Sequence, residues 1–274
     1  MHIDITTDAA RFSDDVEPFL RRDPLRHTVI ATSVFNQIHG LFSGTRFVAV
    51  RADSGAVVGV AQSTASGHLY LGELPTGATA AVVDAFVARD LPLTDVEGED
   101  SDAKALARHW SEPRRGSHRA LYSTRLFRLG TLTPPVVAGR ARLATAADLD
   151  ICLEWGLAFE AEIGEPARFD ETVVRRRIAA RLWWLWEHDG VVTSLVARHK
   201  AVLGWARIGP VYTPPAQRGN GFASALTAAV AGTIRAEGAD ACLFTDLDNP
   251  TSNKIYAEIG FEPVRDFVRY RLDA

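Results

Sequence analysis

The sequence predicts an α/β (α+β) chain of two similar domains in tandem, each a mixed, mostly antiparallel twisted sheet flanked by helices. Three observations carry this. The chain has 274 residues, long for one domain of about 100 to 150 residues and comfortable for two. Near its middle, Leu129 to Arg140 ("LGTLTPPVVAGR") sets two adjacent prolines and two glycines between a strand-like run and a fresh start, which reads as a linker. The order of helical and strand-like stretches before this break recurs, more sharply, after it. The expected division is residues 1–130, a linker at 131–138, and residues 139–274. Apolar residues make up 47% and charged residues 23%, ordinary globular values that let each half bury a core.

In the first half, Pro18–Ile38 reads as helices, and Thr45–Ala65 as a hairpin turning over Ser54-Gly55. His68–Leu74 reads as a strand, Ala78–Asp90 as a helix and Ala120–Leu129 as a closing strand. In the second half a short apolar strand follows Arg140. Leu149, Leu153, Trp155 or Gly156, and Phe159 or Glu160 then recur at helical spacing, with Thr145 or Asp148 as N-cap. Arg175–Ala180 suggests another short helix. Asp189-Gly190 is a hairpin signal between β-branched and aromatic runs, giving three antiparallel strands up to Thr213. A helix from Phe222 to Glu237 ended by Gly238, a strand Ala239–Leu247, a short helix Thr251–Gly260 and an alternating strand Asp266–Leu272 complete the pattern.

Several function classes are disfavoured. The net charge of −4 argues against a broad phosphate-binding surface, so no nucleic-acid partner is expected. Cys152 and Cys242 are the two cysteines; neither a disulfide framework nor a zinc site follows, and no metal is expected. The N-terminus lacks a signal-peptide core and no run approaches the ~18 apolar residues of a membrane helix, so a soluble, cytoplasmic protein without membrane partners is the expectation.

The segment that carries chemistry is "GPVYTPPAQRGNGFASALTAAV", Gly209 to Val230. It places Gly219, Asn220 and Gly221 between the end of a strand and the start of a helix. Amide groups there have no intrahelical acceptor, the helix dipole is positive, and glycine lets backbone approach a phosphate. The spacing favours a pyrophosphate cradle, with Arg218 adding charge at its rim, although a bare Gly-Asn-Gly turn is more often a plain loop. Neither GxxxxGK[ST] nor GxGxxG is present, which excludes the usual nucleotide-triphosphate and dinucleotide loops.

The pattern Arg218-x-x-Gly221-x-Ala223, after the strand "RIGPVYT" and before "NPTSNKIYAEIGF", resembles the acetyl-CoA signature of the GNAT superfamily of N-acetyltransferases. The resemblance covers roughly Gly139 to Ala274, and the two halves together resemble tandem GNAT proteins with a degenerate N-terminal domain. It implies that Gln217 to Ser224 embrace the CoA pyrophosphate, with Gly219, Asn220, Gly221, Phe222 and Ala223 donating. It also implies that the main chain of Val211, Tyr212 and Thr213 splays from its neighbour and bonds the pantetheine arm. Pro214 and Pro215 suit this, since proline removes a donor and holds Thr213 extended. Asn249, Asn253 and Tyr256 match the family's late helix, where the tyrosine is the general acid that protonates the departing thiolate. Acetyl-CoA would be the cosubstrate and the acceptor a primary amine of a small molecule or peptide.

The family's strand glutamate has no counterpart in "GWARIGPVY". Glu154, Glu160, Glu162 and Asp246 are the remaining candidates for a base, each more readily read as a solvated or helix-face charge; His188 and His199 fall in expected turns. Tyr256 also has core spacing with Ile259 and Phe261. Arg175, Arg176 and Arg177 read as an exposed helix face. Trp183, Trp184 and Trp186 read as core plus domain interface rather than an aromatic substrate cage, with Trp184 facing opposite to its two neighbours, and the cysteines as small core residues. The missing carboxylate motivates a competing class, a non-catalytic acyl-CoA-binding or protein-interaction module.

Overall fold

A computed structural model of the chain describes residues 1–165 and 167–273. By packing the chain divides into two units. The first comprises Met1–Leu126 with Thr245–Asn249 and Val264–Ala274, the second Phe127–Phe244 with Pro250–Pro263.

In the first unit, strands β1 (His2–Thr6), β2 (Arg46–Arg51), β3 (Val57–Ser63), β4 (His68–Leu71) and β5 (Asp95–Gly98) follow one another across the sheet. The first three contacts are antiparallel, and β4 runs parallel to β5 from His68↔Asp95 to Tyr70↔Glu97. A parallel pair needs a crossover, supplied by α3 (Ala78–Val87). The β2–β3 hairpin closes where Gly55 takes φ 86°, the left-handed conformation expected of Ser54-Gly55. Helix α1 (Ala9–Leu20) buries Phe12, Val16 and Phe19 on one stripe and is capped by Asp8, whose carboxylate accepts from the Arg11 amide at 3.0 Å. Helices α2 (Thr28–Ile38) and α4 (Asp100–Ser111) complete the layer. The core gathers Val48, Leu69, Val82, Phe86, Val96 and Leu106.

In the second unit the sheet order is β11 (Asp240–Asp246), β10 (Trp205–Tyr212), β9 (Val191–Arg198), β8 (Trp183–His188), β7 (Arg140–Leu143). Of these contacts, among the described residues, only β10–β11 is parallel, bridged by α7 (Phe222–Ala236). Helix α5 (Leu149–Glu162) follows a capping box in which Thr145 and Asp148 exchange bonds, so both expected cap residues act together. Helix α6 (Glu171–Ala179) starts four residues before the expected Arg175, because Asp170 caps it through the Val173 amide at 2.8 Å. Helix α8 spans Pro250–Ile259.

The closing strands are long. β6 runs from Ser117 to Leu129 and β12 from Phe261 to Asp273. From Val264 onward β12 groups with the first unit, where Val268↔Gly98 to Arg271↔Asp95 pairs it antiparallel with β5 and Tyr270 and Leu272 enter the core. Phe127 and Leu129 of β6 enter the core of the second unit. Packing thus groups Thr245–Asn249 and Val264 onward with the first unit and Phe127 onward with the second, where the division read from sequence is contiguous. The segment 131–138 is irregular but docked: Gly130 and Thr133 amides donate to Gly260 and Ile259 carbonyls at 2.8 Å each, and Trp186 Nε1 donates to Ala138 at 3.1 Å.

Two side-chain expectations change. Arg177 is 1% exposed and donates to the Arg198 carbonyl at 3.2 Å, while Arg175 and Arg176 stay exposed; the helix turns that one arginine toward the sheet. Trp186 belongs to the α7-side core and Trp184 packs against it, whereas Trp183 meets Phe169 edge-on at 5.4 Å. Period two sets Trp184 and Trp186 on one face and Trp183 on the other. Both cysteines are fully buried, and burial pushes the Cys152 thiol up to about 12.

Candidate active site

Strand β10 supplies the first part of the site. Its parallel register with β11 runs from Trp205↔Asp240 to Ile208↔Leu243 and ends there, four residues before β10 itself ends. On the other side it pairs with β9 at Ile208↔Arg198 and, after an irregularity, at Val211↔Val196 and Tyr212↔Leu195. Beyond Ile208 the strand is therefore paired on its β9 side. Val211 leans on the core, Tyr212 sits 6.0 Å from the Trp155 ring, and Ser194 donates to the Tyr212 carbonyl at 3.2 Å and lies 2.9 Å from the Thr213 hydroxyl.

The turn that follows is built in two pieces. Pro215–Gln217 forms one 3-10 turn in which the Gln217 and Arg218 amides donate to the Pro214 and Pro215 carbonyls at 2.8 and 3.3 Å. Those two amides are consumed by the chain. Gly219 and Gly221 then take φ of 83° and 78°, and α7 starts without a side-chain cap. The next intrachain amide bond is Ala225 to the Gly221 carbonyl, 2.9 Å. Among the described residues, the amides of Gly219, Asn220, Gly221, Phe222, Ala223 and Ser224 have no intrachain acceptor, and the loop from Arg218 to Gly221 is exposed. Asn220 steadies it by donating to the Gln217 carbonyl at 3.1 Å.

Arg218 is anchored by two bonds. Its Nε donates to the Thr213 carbonyl at 2.9 Å and its NH2 meets Glu162 at 2.7 Å. Its charge is thus shared with a carboxylate, and it closes the loop on itself.

Tyr256 on α8 is 8% exposed, packed with Ile259 and edge-on to Phe261 at 6.1 Å. Its hydroxyl makes no hydrogen bond among the described residues, and burial pushes the phenol up to about 12. Asn253 is half-buried on the same helix and belongs with Tyr256 to the second unit; Asn249 groups with the first unit and donates its amide to Asp246 at 3.1 Å.

The candidate bases are occupied or exposed. Glu160 is buried and accepts from the Arg168 and Phe169 amides at 2.9 and 3.3 Å; Glu162 pairs with Arg218. Asp246 accepts from the Asp248 amide at 2.9 Å, and Glu154 is exposed. His188 lies 3.4 Å from Asp189, with its ring 5.4 Å from Phe222. His199 is surrounded by arginines. Ser194 and Trp155 were not read as site residues, and no motif marks them; the β9–β10 register brings Ser194, and the packing of α5 brings Trp155, to the end of β10.

Among the described residues no helix is long and apolar enough to cross a membrane, and no cluster of His, Cys, Asp and Glu could hold a metal. The FR47-like protein family model matches residues 190–272, which span β10, the glycine turn, α7 and α8. Comparison with curated proteins gave no match. Solved structures resemble the whole chain. A GNAT-family acetyltransferase from Colwellia psychrerythraea aligns over 100% of both chains at 13% identity and TM-score 0.61. A GCN5-related N-acetyltransferase from Sphaerobacter thermophilus covers 88% of this chain and 84% of its own, with 18% identity and TM-score 0.62. A tandem GNAT protein from the clavulanic acid biosynthesis pathway covers 99% of this chain and 98% of its own, at 13% identity and TM-score 0.59. The chain has the fold of the GNAT N-acetyltransferases, shared end to end with a tandem GNAT protein, and its residues 190–272 match the FR47-like family.

Proposed function

We propose that the second unit is an acetyl-CoA-dependent N-acetyltransferase acting on a primary amine of a small molecule or peptide. The observation that carries this is the run of six amides, Gly219 to Ser224, that have no intrachain acceptor at the start of a fifteen-residue helix. A helix N-terminus with its amides exposed favours an anion, and a diphosphate has the charge and the acceptors to use several at once. Gly219 has open space where a Cβ would stand, so phosphate oxygens can approach the backbone. Acetyl-CoA, when bound, supplies the activated thioester.

The chain's own residues have separable tasks in this reading. Gly219 to Ser224 hold the diphosphate, and Val211 to Thr213 offer main-chain groups on the side of β10 that has left the β11 register. Asn249 and Asn253 belong to the cofactor side. Tyr256 keeps its proton at neutral pH and has a hydroxyl with no internal partner, so it suits a general acid for a departing sulfur.

One observation favours a second reading, a non-catalytic acyl-CoA-binding or interaction module: Glu160, Glu162 and Asp246 are already engaged, and β10 carries no carboxylate. Titrating CoA into the purified protein and assaying thiol release over a panel of amines separates these. Binding with turnover is expected; binding without turnover on any amine selects the module, and no binding removes both.

A further inference from the structure

On the face of the second sheet opposite α7, β10, the α5–α6 connection and α6 bring three arginines around one histidine. Ala206 and Ile208 of β10 belong to the α7-side core, so Arg207 projects to the other side. Its NH2 lies 3.3 Å from His199 Nε2. A guanidinium only donates, so Nε2 is the acceptor and, in the neutral ring, Nδ1 carries the hydrogen. The ring is neutral, because burial, with Arg207, Arg177 and Arg168 adding repulsion, holds the imidazole well below its ordinary value. Nδ1 is buried and has no hydrogen-bond partner.

The charge around it points the same way. Arg177 is 1% exposed and is lowered to about 10 by burial and then by Arg207. Glu160 Oε2 accepts from the Arg168 and Phe169 amides, and its Oε1, 3.5 Å from Arg168 Nε, makes no hydrogen bond. An orphan N–H donor amid guanidiniums lacks what an acceptor-only group provides. Arg207 also stands two residues before Gly209 on β10, about 7 Å of strand from the point where β10 leaves the β11 register.

We infer that the amine acceptor carries an oxyanion, a carboxylate or a phosphate, recognised by Arg207 and His199 with Arg177 and Arg168 around them. This rests on the acetyltransferase reading for the reaction, but the recognition can be measured apart from it. β-Alanine is compared with β-alaninamide, and phosphoethanolamine with ethanolamine, by calorimetry in the presence of CoA and by thiol release from acetyl-CoA. The charged member of at least one pair is expected to bind and react at least tenfold better, which also tells carboxylate from phosphate. Arg207→Gln should erase that ratio, and Arg207→Lys should restore part of it, with CoA affinity unchanged as the sign of an intact fold. Equal binding and turnover within both pairs, or no binding by any of the four, overturns the inference while CoA affinity leaves the cofactor site standing. Absence of CoA affinity strikes the acetyltransferase reading instead, and the calorimetric preference, measured without CoA, still decides this one.

Discussion

Tyr256 shows how one side chain serves two accounts. Its ring fills the core beside Ile259 and Phe261, which explains its spacing, yet its hydroxyl is bonded to nothing in the described chain. Tyr256→Phe removes only the oxygen, so its stability cost should lie within about 0.5 kcal/mol, while kcat should fall roughly 10²- to 10⁴-fold, the ordinary weight of a general acid. A rate equal to the parent's would remove Tyr256 from the chemistry. Burial raises this phenol to about 12, above the unfolded value of about 10. The folded state therefore holds the proton more tightly, and the stability this contributes is intact below pH ~10 and lost as pH climbs from there toward 12. In the same interval, and not before, the acid should disappear from a pH–rate profile of the parent.

At the scale of the element, the β10–α7 turn depends on two left-handed glycines with different surroundings. A Cβ on Gly219 would meet nothing within 4 Å, whereas one on Gly221 would stand 3.1 Å from Val137 Cγ2. Both substitutions by alanine incur the left-handed backbone cost of roughly 1–2 kcal/mol; Gly221→Ala must in addition displace Val137 or the helix start. Gly221→Ala should thus lower Tm more than Gly219→Ala and weaken CoA binding by at least tenfold in calorimetry, since it shifts the first-turn amides. Equal affinity in both variants and the parent would separate the turn from the cofactor. This element was legible in the sequence because glycine and proline punctuate it at fixed places. What was not legible is that the double proline folds a 3-10 turn that uses up the Gln217 and Arg218 amides, and that Arg218 spends its charge on Glu162. Elements with weak patterns were missed for plain reasons. β5 is four residues with a single valine among them, and α4 buries Ala103, Leu106, Ala107 and Ser111, with Leu106 the one large apolar side chain on that face. Arg177 is identical in type to its neighbours Arg175 and Arg176, so only the fold distinguishes it.

At the scale of the molecule, the two repeats do not end where their own sequences end. Val268–Arg271 of β12 pair with β5, and Tyr270 and Leu272 enter the first core, while Phe127 and Leu129 from β6 lie in the second. Repeating order along the chain was readable from periodicity; exchange of closing strands was not, because strand period reports which face is buried and is silent on the partner. The exchange bears on whether the glycine turn can work in isolation. Residues 139–274 by themselves would lack Phe127 and Leu129, lose the docked segment 130–138 that meets Ile259 and Gly260, and carry a β12 with no β5 to pair, leaving an exposed edge of the kind that aggregates. That fragment should therefore show no cooperative thermal transition and no CoA affinity, and co-expression with residues 1–138 should restore both. A fragment that melts cooperatively and binds CoA on its own would mean that the exchange is dispensable and that the second repeat closes its own sheet.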